Sequence, residues 1–142
     1  MTASKISLKY ALAKFYIIDF ALKGAKDPFH EFIKRFNKNT SFKVIVNDIK
    51  KIKRLNSKFH PIIIKKLGMA CSYPGTFNSS IYTIINSRNY KEAILKTIKA
   101  GGCNCSRANF TGAYFAALKG LNSIPNSWIK KTIPAKKILS QK

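Results

Sequence analysis

The stretch AGGCNCSR, residues 100–107, places two glycines before two cysteines, an asparagine, a serine and an arginine. Cys103 and Cys105 could bind a soft metal such as Zn²⁺, or react as a thiol pair at a helix start, where the pKa of a thiol is lowered. A zinc site usually needs four ligands, and the third cysteine and both histidines lie far away in the sequence. A disulfide between such close cysteines would close a strained ring. The pattern therefore favours two small buried thiols packed in a turn.

The same stretch could bind an anion. The backbone N–H groups of residues 104–106 would begin a helix, where the helix dipole favours phosphate. Arg107 could add a bidentate contact to that phosphate. A Schellman-type cap that closes the preceding helix explains the two glycines equally well. The candidate ligand-binding residues are Gly101, Gly102, Asn104, Ser106 and Arg107.

Helical periodicity surrounds this stretch and dominates the chain. Asp27 is a typical N-cap followed by Pro28 at the first helical position, and Asn89 or Tyr90 begins the helix that ends at the glycines. The other predicted helices cover residues 7–22, a segment from 41, 78–86, 106–118 and a short segment from 125. Residues 56–66 are ambiguous between a strand and an irregular crossing. Because strands do not alternate with helices, the predicted class is all-α, in a single domain over 1–142 with a basic frayed tail at 134–142.

Two predicted helices carry faces with a distinct pattern. In the first helix, apolar residues recur at spacings of three and four and are expected to face the core: Leu8, Ala11, Leu12, Phe15, Ile18 and Leu22. In the helix after the glycine turn, Gly112, Ala116 and Gly120 lie on one face. A glycine inside a helix costs about 1 kcal/mol relative to alanine. This small-residue face is therefore expected to press against another backbone.

The charge balance is strongly basic, with 27 Lys and Arg, 5 acids and a formal net charge of +22. Such a field attracts phosphates and nucleic acid. The candidate nucleic-acid surface comprises the terminal lysines and the basic side of the third predicted helix, which carries Lys43, Lys50, Lys51, Lys53 and Arg54. The abundance of Lys together with Ile and Asn is also what a biased nucleotide composition would produce. The sequence leaves both explanations open.

No apolar run approaches the roughly 18 residues that span a bilayer, so no membrane association is expected. Three cysteines form no disulfide framework, which predicts a reducing intracellular compartment such as the cytoplasm. A mitochondrial presequence is the less favoured alternative, because Lys5, Lys9 and Lys14 occur without an acid near the start of the chain.

The segment AGGCNCSRANFTGAYFAALKGLNSIPNSW resembles the carboxy-terminal signature of the ADP-ribosylglycohydrolase family. That signature has two glycines, an Asp, any residue, a second Asp, and Thr or Ser. A small-residue helix, a glycine, Ile-Pro and Trp follow. The positions that fit are Gly101, Gly102, Ser106, Gly112, Gly120, Ile124, Pro125 and Trp128. Segments 67–77 and 89–94 are similar to a divergent branch of the family that includes lens crystallins, and residues 1–66 are compatible with the family's helical body.

The resemblance implies an all-α helical bundle like the carboxy-terminal part of the family's fold. It also implies a centre of two Mg²⁺ ions that hydrolyses the bond from ADP-ribose to protein or to a small acceptor. In the family, the two motif aspartates and the hydroxyl residue bind the metal. The matching positions here are Cys103, Cys105 and Ser106. Mg²⁺ prefers oxygen and thiolates are soft ligands, so Ser106 alone keeps a suitable donor.

The resemblance also shows what is missing. The family's other metal-binding acids come from a Gly-Asp motif in longer chains, and none of the three aspartates here follows a glycine. We therefore expect a truncated and catalytically degenerate relative, a pseudoenzyme that holds no Mg²⁺ by itself. Its expected ligands are ADP-ribose, an ADP-ribosylated substrate or a nucleotide, and a partner chain is expected to complete the fold. The alternatives are an active hydrolase with acids from a partner, a structural protein without ligand, and a basic nucleic-acid binder.

Overall fold

A computed structural model describes residues 4–55, 59 and 61–141, and within these ranges the chain is helical and has no strand. The helices are α1 (Lys5–Leu22), α2 (Pro28–Phe36), α3 (Lys43–Arg54), α4 (Pro61–Leu67), α5 (Gly75–Ile85), α6 (Tyr90–Lys99), α7 (Asn104–Lys119), α8 (Asn126–Lys131) and α9 (Ala135–Leu139). Short 3₁₀ turns at Thr40–Phe42 and Leu121–Ser123 precede α3 and follow α7. No described helix combines the length and the apolar character needed to cross a membrane. The predicted all-α class is confirmed.

Helix α7 packs against α1, α5 and α6 and forms the centre of the bundle. Gly112 permits the approach of α6, because a Cβ there would lie 3.3 Å from Tyr90 Oη and 3.4 Å from Ile94 Cδ1. Gly120 has no atom within 4 Å of the position of a Cβ and ends α7 with a φ of 77°. The small-residue face is therefore closely packed at Gly112, but against side chains of α6 and not against another backbone as predicted. At Gly120 the prediction is wrong, because this glycine serves the turn.

The face of α1 that packs against the core is opposite to the predicted face. Its buried residues are Tyr10, Ala13, Ile17 and Ala21. Five of the six members of the predicted core stripe are exposed: Leu8 (62%), Ala11, Leu12 (40%), Phe15 (63%) and Leu22 (69%). Both sets have helical spacing, so periodicity alone does not distinguish them. The two buried alanines leave room for α7, and Tyr10 stacks on Tyr73 with ring centroids 4.9 Å apart. Close helix packing has therefore selected the face with the smaller side chains.

Aromatic rings of α2 and the turn before α3 fill much of the core. The ring centroids of Phe32, Phe36 and Phe42 lie 4.6 to 5.7 Å apart in tilted and edge arrangements, which aromatic pairs prefer to a face-to-face sandwich. Asp27 caps α2 as predicted, since its Oδ1 accepts a hydrogen bond from the backbone N–H of His30 at 3.0 Å. This cap fixes the start of the aromatic helix.

Several element boundaries differ from the predicted ones. Residues 61–67, ambiguous in the sequence, form α4 because Pro61 starts a helix where its missing N–H costs nothing. Residues 56–58 and 60 of the same ambiguous segment lie outside the described residues. Helix α5 begins at Gly75 and α7 at Asn104, both earlier than predicted, and the predicted frayed tail contains α9.

Candidate functional site

The glycine turn, residues 100–103, connects α6 to α7 and lies against the segment before α5. Gly101 and Gly102 both have a φ of 73°, in the left-handed region that glycine adopts without strain. A Cβ on Gly102 would lie 2.6 Å from the carbonyl oxygen of Met69, so a larger residue does not fit. The backbone N–H of Cys103 donates to that same oxygen at 2.8 Å. The glycines therefore bring Cys103 against the chain near Met69.

This approach joins Cys103 to Cys71 in a disulfide with the two Cα atoms 5.6 Å apart. Cys105 is free and exposed. The prediction of two buried thiols packed in the turn is therefore wrong for both cysteines. The prediction went wrong because the partner lies 32 residues away in the sequence. Only the tertiary contact between the glycine turn and the Met69 segment brings the two sulfurs together.

Arg107 points into the protein and holds the turn. It is fully buried, its Nη2 donates to the carbonyl oxygen of Gly101 and to Asn104 Oδ1 (3.0 Å), and its Nε lies 3.4 Å from the carbonyl oxygen of Cys103. Its Nη1 is buried and has no hydrogen-bond partner among the described residues. Burial lowers the pKa of the Arg107 guanidinium. Three of the five candidate ligand-binding residues thus contact one another, and the proposed contact of Arg107 with a ligand stays a prediction.

The residues at the family's metal-binding positions do not fit Mg²⁺. Cys103 is committed to the disulfide, and the Ser106 hydroxyl lies 3.2 Å from Cys103 Sγ, to which it is the donor because a disulfide sulfur has no proton. Mg²⁺ requires a near-octahedral set of oxygens. Among the described residues, no group of three or more His, Cys, Asp or Glu side chains could hold a metal ion. The motif positions therefore do not supply the oxygen donors that Mg²⁺ chemistry requires.

The first turn of α7 has the features of an anion site on its backbone side. No side chain of the described residues caps this helix start. The N–H of Asn104 donates to the Gly102 carbonyl oxygen at 2.8 Å, which leaves the N–H groups of residues 105 and 106 without a side-chain acceptor in the described part of the chain. Cys105 is exposed, and Asn104 and Ser106 are half-buried. An uncapped start of a helix of 16 residues presents N–H donors together with the positive end of the dipole.

A cavity of about 340 Å³ lies at the other end of α7, which we call the Tyr114 pocket. It is lined by residues that precede or begin α2, end α3 and α5, and end α7: Lys26, Asp27, Phe29, Lys53, Ile84, Ile85, Ser87, Arg88, Tyr114, Phe115, Leu118 and Lys119. Phe29 and Tyr114 stack in it with ring centroids 5.1 Å apart. Sequence analysis missed this pocket, because its lining comes from four separate segments with no common motif.

The polar rim of the Tyr114 pocket is mostly cationic. Lys53 Nζ lies 2.5 Å from Asp27 Oδ2, while neither Lys26 nor Lys119 has an ion-pair partner among the described residues. Burial, and then the negative charge of Asp27, raises the pKa of Tyr114 above its ordinary value, so its hydroxyl stays protonated. The pocket combines an aromatic wall with unpaired cations, which suits a ligand that has both a ring and a negative charge.

A second cavity, of about 330 Å³, separates the C-terminal segment from α6. Its lining is mainly apolar and includes Tyr90, Ile124, Trp128, Ile138 and Leu139. Neither cavity is lined by a residue of the glycine turn or by residues 104–107. The motif residues and the two cavities are therefore separate features.

Comparison with known proteins gives a family match over most of the chain. The family model for ADP-ribosylglycohydrolase matches residues 4–140. Crystallin J1A of Tripedalia cystophora is 38% identical over 69 residues, which are 49% of this chain and 21% of the crystallin. Crystallin J1B of the same organism is 30% identical over 76 residues, which are 54% of this chain and 24% of the crystallin. The matched region therefore spans less than a quarter of either curated relative.

No solved structure matches the chain. The family model nevertheless covers both the glycine turn and the helical body that precedes it. The chain therefore belongs to the ADP-ribosylglycohydrolase family.

Proposed function

We propose that this chain is a family member that does not hydrolyse ADP-ribosyl bonds by itself and that retains a phosphate-binding helix start. One observation carries the first part: the motif positions for the two aspartates hold Cys103, which is bonded to Cys71, and the exposed thiol of Cys105. Two hard donors and two negative charges are absent from the place where the family binds its dications. The formal net charge of +22 further opposes the binding of a dication.

The second part of the proposal rests on the start of α7. Within the ranges that the structure describes, its first turn has no side-chain cap, and Nη1 of Arg107 has no hydrogen-bond partner. A phosphate of ADP-ribose or of another nucleotide would accept hydrogen bonds from the N–H groups of residues 105 and 106 without any metal, since the N–H of Asn104 already donates to the Gly102 carbonyl oxygen at 2.8 Å. Loss of metal chemistry and retention of ligand binding are therefore compatible.

Calorimetric titration with ADP-ribose, with and without Mg²⁺, tests both parts together with a hydrolysis assay on an ADP-ribosylated protein. We expect a saturable binding signal that does not depend on Mg²⁺, and no release of ADP-ribose. Mg²⁺-dependent release of ADP-ribose would overturn the non-hydrolytic assignment. A variant with Cys103→Asp and Cys105→Asp restores the motif, and we expect it to remain inactive because the other family acids are still missing.

Cys105→Asp alone tests the binding mode at α7. A carboxylate in the first turn stabilises a helix by about 0.3–1 kcal/mol but competes with a phosphate for the same N–H groups. We expect this variant to be at least as stable as the parent chain and to bind ADP-ribose several-fold more weakly without Mg²⁺. Cys105→Ala is the matched control and should bind like the parent chain. Equal affinities of the two variants would place the ligand elsewhere, with the Tyr114 pocket as the next site to test.

A second candidate function is nucleic-acid binding, favoured by the surface of α3. Lys43, Asn47, Lys51 and Arg54 are all exposed and follow one face of that helix. Binding through such a face releases counterions, so affinity should fall steeply with salt, by a slope of about 0.9 per phosphate contact in B-DNA. Replacing Lys43, Lys51 and Arg54 by Gln should reduce this slope. Replacing Lys34, Lys91 and Lys99 by Gln removes the same charge from exposed positions elsewhere and is the control. A flat salt dependence of the parent chain excludes this function.

A further inference from the structure

Helix α1 carries an apolar stripe that nothing in the described part of the chain covers. The α1 stripe consists of Leu8, Leu12, Phe15 and Leu22, whose exposed fractions run from 40% to 69%. At 3.6 residues per turn these four side chains fall within about 80° of arc, along about 21 Å of helix. Single exposed leucines are ordinary, but a contiguous apolar face on a folded domain marks an interaction surface.

The spacing of the α1 stripe fits a helix as its occupant. Residues 8, 12 and 15 follow the alternation of four and three that forms the contact seam between two helices, and residue 22 lies one heptad after 15, with Asp19 at the position between them. The opposite face of α1 is already buried against the bundle through Tyr10, Ala13 and Ile17. The helix is therefore held rigidly, and a partner helix would meet a preformed surface.

The charges beside the α1 stripe select the chemistry of that partner. Lys5, Lys9 and Lys23 follow one edge of the stripe and are exposed. Asp19, which interrupts the stripe, is already paired with Lys23 at 2.7 Å. The edge therefore presents positive charge to whatever covers the leucines. A partner with glutamate or aspartate along the edges of its own apolar stripe would complement it, as edge charges do in paired helices.

The same charges disfavour the other occupants. A second copy would bring another chain of net charge +22 and another lysine edge to the interface, where like charges repel. A membrane would have to bury the Asp19–Lys23 ion pair among acyl chains, whereas a partner helix can place a polar side chain opposite it. We infer that the α1 stripe is a docking surface for an acidic amphipathic helix of another protein.

A labelled three-heptad peptide with Leu at a and d and Glu at e and g is the probe, and fluorescence anisotropy measures its binding to the full chain. A scrambled peptide of the same composition carries the same charge without a stripe. We expect the ordered peptide to bind at least about tenfold more tightly, since burial of each apolar side chain contributes about 1.5–3 kcal/mol. Equal binding of both peptides, or no binding of either, contradicts the proposal.

Two double variants locate the surface. Leu12→Ser with Phe15→Ser removes the centre of the α1 stripe, and we expect affinity for the ordered peptide to fall about tenfold or more. Val44→Ser with Ile98→Ser removes two equally exposed side chains from α3 and α6 and should leave the affinity unchanged. Because all four side chains are exposed, unchanged circular dichroism should show that both variants fold. Self-association that is lost in the Leu12/Phe15 variant assigns the stripe to a second copy, and binding to phosphatidylserine vesicles without peptide binding assigns it to a membrane; either result overturns the proposal.

Discussion

Arg107 is hydrogen-bonded to Gly101, a residue of the loop that precedes its own helix. The guanidinium donates through Nη2 to the Gly101 carbonyl, at the end of α6, so one side chain ties the end of α6 to the beginning of α7. The arginine is fully buried and forms no salt bridge within the described ranges. From the sequence, Arg107 was a candidate for a phosphate contact. In the structure its hydrogen bonds close the turn between α6 and α7.

Replacing Arg107 by Met should therefore destabilise the protein even when no ligand is present. The change leaves the carbonyl oxygens of Gly101 and Cys103 without their donor, and an unsatisfied buried acceptor costs about 1–3 kcal/mol. Urea unfolding followed by circular dichroism measures the loss. Lys119→Met removes an exposed cation from the same helix and should change the free energy of unfolding by less than about 0.5 kcal/mol. Equal effects of the two changes would show that Arg107 does not hold the turn.

Gly101→Ala and Gly102→Ala separate backbone strain from steric exclusion. Both glycines have a φ of 73°, which costs an alanine of order 1 kcal/mol in each case. Only Gly102 faces a close backbone atom, because its Cβ would lie 2.6 Å from Met69 O, while that of Gly101 would lie 3.5 Å from the flexible Met69 Cε. We expect Gly102→Ala to be the more destabilising by about 1–3 kcal/mol. Similar midpoints of urea unfolding for the two variants would contradict the close approach of the turn to Met69.

The disulfide between Cys71 and Cys103 should stabilise the oxidised protein. It closes a loop across 32 residues, and cross-links of this kind typically contribute about 2–4 kcal/mol, largely by restricting the unfolded chain. Cys71→Ala, or reduction by dithiothreitol, should lower the midpoint of thermal unfolding, and Cys105→Ala should not. Mass spectrometry of unreduced peptides identifies the pairing directly. Detection of a Cys103–Cys105 pair in its place would refute the geometry of the turn.

The predicted reducing compartment stays a prediction, which alkylation of the thiols in intact cells would test.

Asp27 should make stability depend on pH in the acidic range. Burial by itself raises the pKa of its carboxyl, but hydrogen bonds from Lys53 Nζ and the His30 N–H outweigh burial and hold the pKa below its ordinary value. Such a group stabilises the fold fully above its unfolded pKa, about 4, and the contribution disappears as the pH falls through the lower folded pKa. Asp27→Asn keeps the capping oxygen but does not titrate. Because Asp27 is half-exposed, we expect a difference of less than about 1 kcal/mol at neutral pH that vanishes in strong acid and shrinks at high salt. A difference that is constant with pH contradicts this account.

Local signals in the sequence predicted where helices begin better than they predicted which face of a helix is buried. Asp27 was predicted as an N-cap and accepts the expected hydrogen bond from His30 N. The start of α6 was predicted at Asn89 or Tyr90, and Asn89 proves to be its N-cap, accepting from Glu92 N. A cap and its partner lie within one turn, so neighbouring residues are sufficient to predict it. The burial of α1 was predicted on the wrong side because two apolar faces competed, and the choice between them depends on α7, almost a hundred residues further along the chain.

The candidate site could be predicted in its location along the chain but not in its contacts. The positive φ of Gly101 and Gly102 follows from the residue type, and the end of α6 at these residues was anticipated. The bond from Cys103 to Cys71 and the inward direction of Arg107 depend on the docking of the turn against Met69. No periodicity or capping signal encodes such a long-range contact. The Tyr114 pocket was missed for the same reason.

Trp128 is the only tryptophan of the chain, and it lies in α8 with its ring centroid 6.2 Å from that of Tyr90. Its emission therefore reports whether the C-terminal segment is attached to α6, while the aromatic core around Phe32 contributes nothing to that signal. An optical melting curve recorded by tryptophan emission would follow the release of this peripheral segment, and ellipticity would follow the whole bundle. Comparison of the two melting curves would therefore show whether the C-terminal segment detaches before the rest of the bundle unfolds.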